Sequence, residues 1–466
     1  MPGLPWTKFQ DFYLRLGFLK VLVAALSPER RSATNEMIVR RLQTPLFDST
    51  SAHRALRGRV SDFFTDIYPR KTSSGKTIDS PEVAEALLAM DGSESALYGI
   101  TKDTAYKILD WGHDVRLVGR ANQITERGLI LRALGEPARA EQFFSGQIFE
   151  WRPLILTLRE RLFFLYQLEE IDSLTSELIK DLGSIAPGRV LETRDASRLT
   201  LVALLRVLER AEPTLGARDI GTFRTAQELA LTIAAELDEK VPERWISVAR
   251  SLAIARGAKP RTRAKDAGSK IRKTTKNADH QTIPRFEQLI DMGFLTKPGA
   301  AQGASPREEF SARRRWRYVP TPLCGRWARA RGTFSLEKPF AWYGFAATAT
   351  ASFHDQMPNA LERPSPRLVA ERLWAAYSTV RRSVGLTPLD SVALVAMIDS
   401  VVDGRPVEMA DVHELLTRIR ERGILTDCVH FASGSALDKM FIQLKPNFPV
   451  RFTEEAAKLA DGVADG

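Results

Sequence analysis

The stretch Val412-His413-Glu414-Leu415-Leu416-Thr417-Arg418-Ile419-Arg420-Glu421-Arg422 runs directly into Gly423-Ile424-Leu425. Val412, Leu415, Leu416 and Ile419 recur at the spacing of one helical face, so the segment predicts an amphipathic helix with an apolar exit. A polar turn at Ser433-Gly434-Ser435 and a strand-like Lys439-Met440-Phe441-Ile442-Gln443-Leu444 follow. The same order of pieces occurs twice earlier in the chain. Ile283-Pro284-Arg285-Phe286-Glu287-Gln288-Leu289-Ile290-Asp291-Met292 leads to Gly293-Phe294-Leu295, a long polar insert and Trp316-Arg317-Tyr318-Val319-Pro320-Thr321. Thr101 to Trp111 leads to Arg116-Leu117-Val118, a polar turn from Gly119 to Gln123, and Ile124-Thr125-Glu126-Arg127-Gly128.

The sequence around these three constellations is that of a multi-domain protein. The 466 residues are 44% hydrophobic, enough to give several domains packed cores. Residues 1–70 read as a helical region, with apolar positions recurring from Phe9 to Leu19 and again from Ile38 to Leu42. A first module is expected over 71–145, a helical connecting domain over 146–255, a basic linker and second module over 256–355, a third module over 366–450, and a flexible tail over 451–466. Pro364-Ser365-Pro366 marks the last internal boundary. The leucine and phenylalanine stripes of the connecting domain, such as Leu162-Phe163 and Leu204-Leu205, read as core.

Charge is distributed unevenly. Residues 256–276 hold nine bases against one acid, and residues 307–331 hold eight arginines against two. The window from 256 to 331 carries a net +13, whereas the whole chain carries +10, so everything outside it sums to −3. Clustered positive charge attracts phosphates where dispersed charge does not. The only two cysteines, Cys324 and Cys428, are too few for a disulfide framework or a paired-cysteine zinc site. The start of the chain lacks the basic residues and continuous apolar core of a signal peptide, and no apolar run reaches the roughly 18 to 20 residues that a membrane helix needs. A cytoplasmic protein without membrane contact is expected.

The helix, apolar exit, turn and strand of the three constellations resemble the winged-helix superfamily, in which a helix-turn-helix precedes a β-hairpin wing. The resemblance covers about half of the chain and implies a mainly α fold with small β-hairpin wings (α+β), up to three winged-helix modules being joined by a helical middle region. In such a domain Gly293 and Gly423 fall where the helix must stop, because glycine accepts a left-handed backbone. Arg116 departs from that pattern. The apolar pairs Phe294-Leu295 and Ile424-Leu425 would begin the first wing strands. The resemblance further implies double-stranded DNA as partner, the helix before each wing entering the major groove and the wing following phosphates.

The expected DNA contacts fall into three groups. Lys102, Lys107 and Arg120 belong to the first module. Arg261, Arg263, Lys270, Arg272, Lys273 and Lys276 lie in the linker. The second module supplies Arg285 on its helix and Arg313, Arg314, Arg315, Trp316 and Arg317 beside its wing, where guanidinium forks pair with phosphates and stack on rings. The third module mixes Arg418, Arg420 and Arg422 with Glu414 and Glu421 and reads equally well as a protein-docking surface.

Catalytic patterns stay incomplete. Lys71-Thr72-Ser73-Ser74-Gly75-Lys76-Thr77 ends like a P-loop, but Arg70 stands where its first glycine belongs. Cys428, His430 and His413 lack a fourth metal ligand, and Asp238-Glu239-Lys240 follows a helical stretch, not a sheet. The sequence therefore points to a non-enzymatic DNA-binding subunit without cofactors, set in a larger assembly such as those of antiphage defence, restriction or chromosome maintenance. The outer modules are expected to hold protein partners or a second copy of the chain. A kleisin-like scaffold that recruits an ATPase or nuclease, and a nuclease with a cryptic site, are the alternatives.

Overall fold

The computed structural model describes residues 16–26, 32–43, 102–135, 156–211, 220–241, 278–296, 317–331, 344–354, 364–381, 386–432 and 440–455. This part of the chain is mainly helical, with small antiparallel strand pairs. At its centre is α5 (Leu158–Ile171), whose residues Leu162, Phe163, Phe164, Leu165, Tyr166 and Leu168 are all buried. A run of consecutive buried apolar residues occupies more than one face of a helix and must be covered from several sides. The cover comes from α4 (Glu126–Leu134), α6 (Ser173–Gly183) and α13 (Leu389–Val402).

The start of α5 is closed by a side-chain cap, and its end by the Asp172 N–H, which donates to the Leu168 carbonyl. Thr157 and Glu160 form a reciprocal capping box at its start, and Asp172 accepts the backbone N–H groups of Leu174 and Thr175 to begin α6. Each cap carboxylate also reaches a distant cation. Lys20 on α1 (Gly17–Ala25) lies 2.8 Å from Glu160, and Arg285 on α9 (Ala278–Asp291) lies 2.9 Å from Asp172. Midway along α5, Gln167 donates to the Val115 carbonyl at 3.0 Å, and Arg159 forks onto Asp399 of α13 at 2.7 and 3.0 Å.

Three helix-to-hairpin units surround this helix. In the first, α1 and α2 (Asn35–Gln43) pack on α3 (Lys102–Asp114), and Val118 bridges to Ile124 before α4. Ile124 is extended, but Glu126 onward is helix, not strand, because Thr125 accepts the Gly128 N–H as an N-cap. In the second unit, α7 (Thr193–Ala211), α8 (Ile220–Leu237) and α9 lead to β1 (Leu295–Thr296) and β2 (Val319–Pro320). Leu191 bridges to Tyr318 on the other side, so the extended segments lie in the order 191, β2, β1. There α6 packs on α10 (Pro322–Arg331).

The third unit joins α12 (Pro366–Val380), β3 (Thr387–Pro388), α13, α14 (Met409–Arg422), β4 (Val429–Ala432), β5 (Phe441–Leu444) and α15 (Phe448–Glu455). Its sheet order is β3-β5-β4. Strand β4 starts four residues beyond Leu425, which adopts φ 56° in a turn and accepts from the Cys428 and Val429 N–H groups. Residues 451–455, expected in a flexible tail, are instead the end of α15, which packs on α12 and buries Phe452.

The three helices that precede the hairpins stop in the same way. Arg116, Gly293 and Gly423 all take a left-handed backbone, with φ of 60°, 88° and 61°. Their N–H groups bond to the carbonyls of His113, Ile290 and Arg420, and the following residues Leu117, Phe294 and Ile424 bond back to Gly112, Leu289 and Ile419. This is the Schellman ending, in which the apolar residue after the left-handed one turns into the core. Leu117 and Phe294 are fully buried.

Between the second and third units, Glu408 accepts from the Ala346 and Ala347 N–H groups at the start of α11 (Phe345–Phe353), at 3.1 and 3.0 Å, while forming a capping box with Asp411 on α14. Burial raises its carboxyl to about 7, against the lowering effect of those N–H groups and with the help of Asp411.

Two expectations follow. Arg116→Gly removes the steric cost of a left-handed side chain and should stabilise the protein by about 0.5–1 kcal/mol, and Gly423→Ala should destabilise it by about 1 kcal/mol, both read from urea midpoints. Because Glu408 is raised above its ordinary 4.5, its contribution is fully present below that value and is lost as pH rises through about 7. The difference in thermal midpoint between Glu408→Gln and the parent protein should therefore change across about pH 5 to about pH 8 in favour of the variant, whereas a constant difference would remove Glu408 from that role.

Candidate nucleic-acid interface

Leu295 pairs with Pro320 and Thr296 with Val319, so the described residues before and after 297–316 belong to one antiparallel strand pair. Arg313, Arg314, Arg315 and Trp316 fall in that stretch and lie outside the described residues, as do Arg261, Arg263, Lys270, Arg272, Lys273 and Lys276 of the linker.

Arg317 is the first described residue after the insert. Its side chain is 42% exposed, and its Nε donates to Glu192 at 2.7 Å, which raises the guanidinium further above its ordinary value. Arg329 on α10 is exposed, whereas Arg326 donates to the Ser352 carbonyl at 2.6 Å.

Arg285 is not a phosphate contact. It is 3% exposed and donates to Asp172, and burial pulls it down to about 10 while Asp172 opposes the shift. All of the helix from Thr282 to Asp291 is buried between α7, α8 and β1, with Phe286 against Tyr318 at 5.0 Å between ring centroids. A helix enclosed in this way has no face for a DNA groove. The helical period gave α9 correctly, but a polar residue at a helix position carries no mark of whether a buried carboxylate awaits it. Asp172 supplied the missing signal: Asp-Ser at 172–173 is an N-cap pattern inside a continuous helical reading.

In the first unit, Lys107 is half-buried on α3, and Lys102 opens the same helix. Arg120 is exposed in the turn between Val118 and Ile124. That turn is short and tied down, since Asn122 donates to the Ala33 carbonyl and to Asn35. Of the three expected bases of the first unit, Lys102 and Lys107 are on a helix and only Arg120 is in the turn. In the third unit Arg418 pairs with Glu414, and Arg420 and Arg422 are exposed at the end of α14.

Among the described residues, no three His, Cys, Asp or Glu side chains are grouped to hold a metal ion. His413 faces Asp390 at 3.3 Å, His430 is exposed on β4, and the buried Cys428 thiol, raised to about 11 chiefly by burial, donates to the Leu425 carbonyl. No helix among the described residues is long and apolar enough to cross a membrane. Compared with known proteins, the chain matches no family model, no curated protein and no solved structure.

The buried pair separates packing from binding. Arg285→Ala should destabilise the fold by about 3–5 kcal/mol by leaving Asp172 uncompensated, as measured by urea unfolding. A loss below about 1 kcal/mol would show that the pair carries little of the packing.

Proposed function

We propose that this chain is a non-enzymatic DNA-binding protein of the winged-helix kind, acting as a subunit of a larger DNA-acting assembly. The observation that carries the proposal is the hairpin of β1 and β2. Between its two strands the sequence carries Arg313, Arg314, Arg315, Trp316 and Arg317, followed by Tyr318. A wing of this composition suits the phosphate backbone, with guanidinium forks on phosphates and the indole beside them. The order of elements supports the same kinship. An extended segment, helices and a hairpin, with the first segment beside the last strand, occur both around Leu191 and around β3.

The burial of α9 shapes the mode of binding. With α9 buried from Thr282 to Asp291, contact in this reading is made through the wing insert and the linker over 256–276, and phosphate contacts position a protein without reading sequence. Affinity should therefore be nearly independent of DNA sequence and steeply dependent on salt. A scaffold role is favoured for the third unit by a separate observation: Phe441 on β5 and Val450 on α15 are 37% and 62% exposed.

Titration of duplex DNA across a salt series tests the proposal. Each phosphate contact contributes about −0.9 to the slope of log affinity against log salt, so alanine at Arg313, Arg314 and Arg315 together should flatten it by about 2 to 3. Absence of binding by the parent protein at low salt would overturn the assignment.

A further inference from the structure

We infer that Glu192 is an internal stand-in for DNA phosphate, holding Arg317 at the root of the basic insert until nucleic acid displaces it. The inference rests on the DNA-binding function proposed above and adds a regulating residue to the same surface.

The sheet register sets the geometry. Leu191 and Tyr318 exchange both backbone hydrogen bonds, at 2.7 and 2.9 Å, and both side chains are buried. Their neighbours Glu192 and Arg317 consequently lie on the outward side of the sheet, opposite one another. Arg317 directs Nε and one terminal nitrogen at a single carboxylate oxygen of Glu192, and the two side chains are 42% and 53% exposed. Glu192 is also fixed from its other end. Its N–H donates to Asp195 and its carbonyl accepts from Ala196, at the start of α7.

A carboxylate in this position does to the arginine what a phosphodiester would, offering a singly charged oxygen acceptor to the guanidinium fork. The pair is exposed, so salt screens it and its strength is modest. A phosphate brought close by the adjacent arginines can replace it. Folding alone does not require the pair, because the Leu191 and Tyr318 bonds already close this side of the sheet. Its effect is to withhold one cation from the edge of the interface and to leave the acid as a repulsive neighbour for DNA that approaches the wrong side of the hairpin.

The test compares duplex-DNA affinity and its salt slope for the full-length parent, Glu192→Gln, Arg317→Ala, the double variant, and Glu371→Gln. Glu371 is an exposed acid on α12 paired with Arg367, and its replacement changes net charge equally at a position remote in the fold. Glu192→Gln should bind several-fold more tightly, with a slope steeper by about 0.9, and the double variant should lose that gain. An unchanged affinity for Glu192→Gln, while the parent binds and alanines at Arg313 to Arg315 weaken it, overturns the inference and leaves the DNA-binding function intact. An equal gain from Glu371→Gln also overturns it, because net charge alone would then account for the effect. Failure of the parent to bind DNA overturns both.

Discussion

Two buried carboxylates, Glu160 at the start of α5 and Asp172 at the junction of α5 and α6, would be costly to bury alone. Both accept backbone N–H groups and are neutralised by Lys20 and Arg285, residues distant in sequence. An uncompensated charge in such surroundings would cost several kcal/mol, so each pair makes the docking of a remote helix a condition of burying α5. The apolar contacts supply the attraction, and the ion pairs fix which helix lies where. Arg127 adds a third polar contact by lying over the Tyr166 ring, 5.1 Å from its centroid, while pairing with Glu170.

The repeated Schellman ending explains how chemically different segments give the same local shape. Left-handed geometry followed by an apolar residue, fully buried at Leu117 and Phe294 and partly buried at Ile424, turns each segment out of its helix. Two of the three positions use glycine. Arg116 takes the same backbone at some steric cost, in a unit where Leu117 is buried and its hairpin turn is pinned through Asn122.

Periodicity and glycine placement made the helices and their ends readable. Val412, Leu415, Leu416 and Ile419 are all buried on one face of α14, and Gly293 and Gly423 stop their helices in the manner that glycine permits. Other features had no local signature. Thr125 reads as a strand residue until its hydroxyl is seen to cap a helix, and Leu425 reads as strand while it sits in a turn. Arg285 illustrates the larger gap. A single arginine in a basic neighbourhood looks like a phosphate ligand, and only the arrival of Asp172 from 113 positions away makes it part of the core. Most of the bases in the candidate interface lie outside the described residues, so the support for that interface comes from composition and from the hairpin that anchors it.

The backbone N–H of Leu16, at the start of α1, donates to the side chain of Asp291 at 2.8 Å across 275 residues of sequence. Together with Lys20–Glu160, separated by 140 residues, this ties α1 to parts of the chain far from it in sequence. A ribosome adding roughly 5–20 residues per second needs about 15–55 s between making Leu16 and making Asp291. For that interval α1, apolar along nearly its whole length, lacks one of the groups that fix its first turn. The helices that α1 packs on are synthesised by residue 134, so its apolar surface can be covered early, while the acceptor for its first N–H arrives only with Asp291.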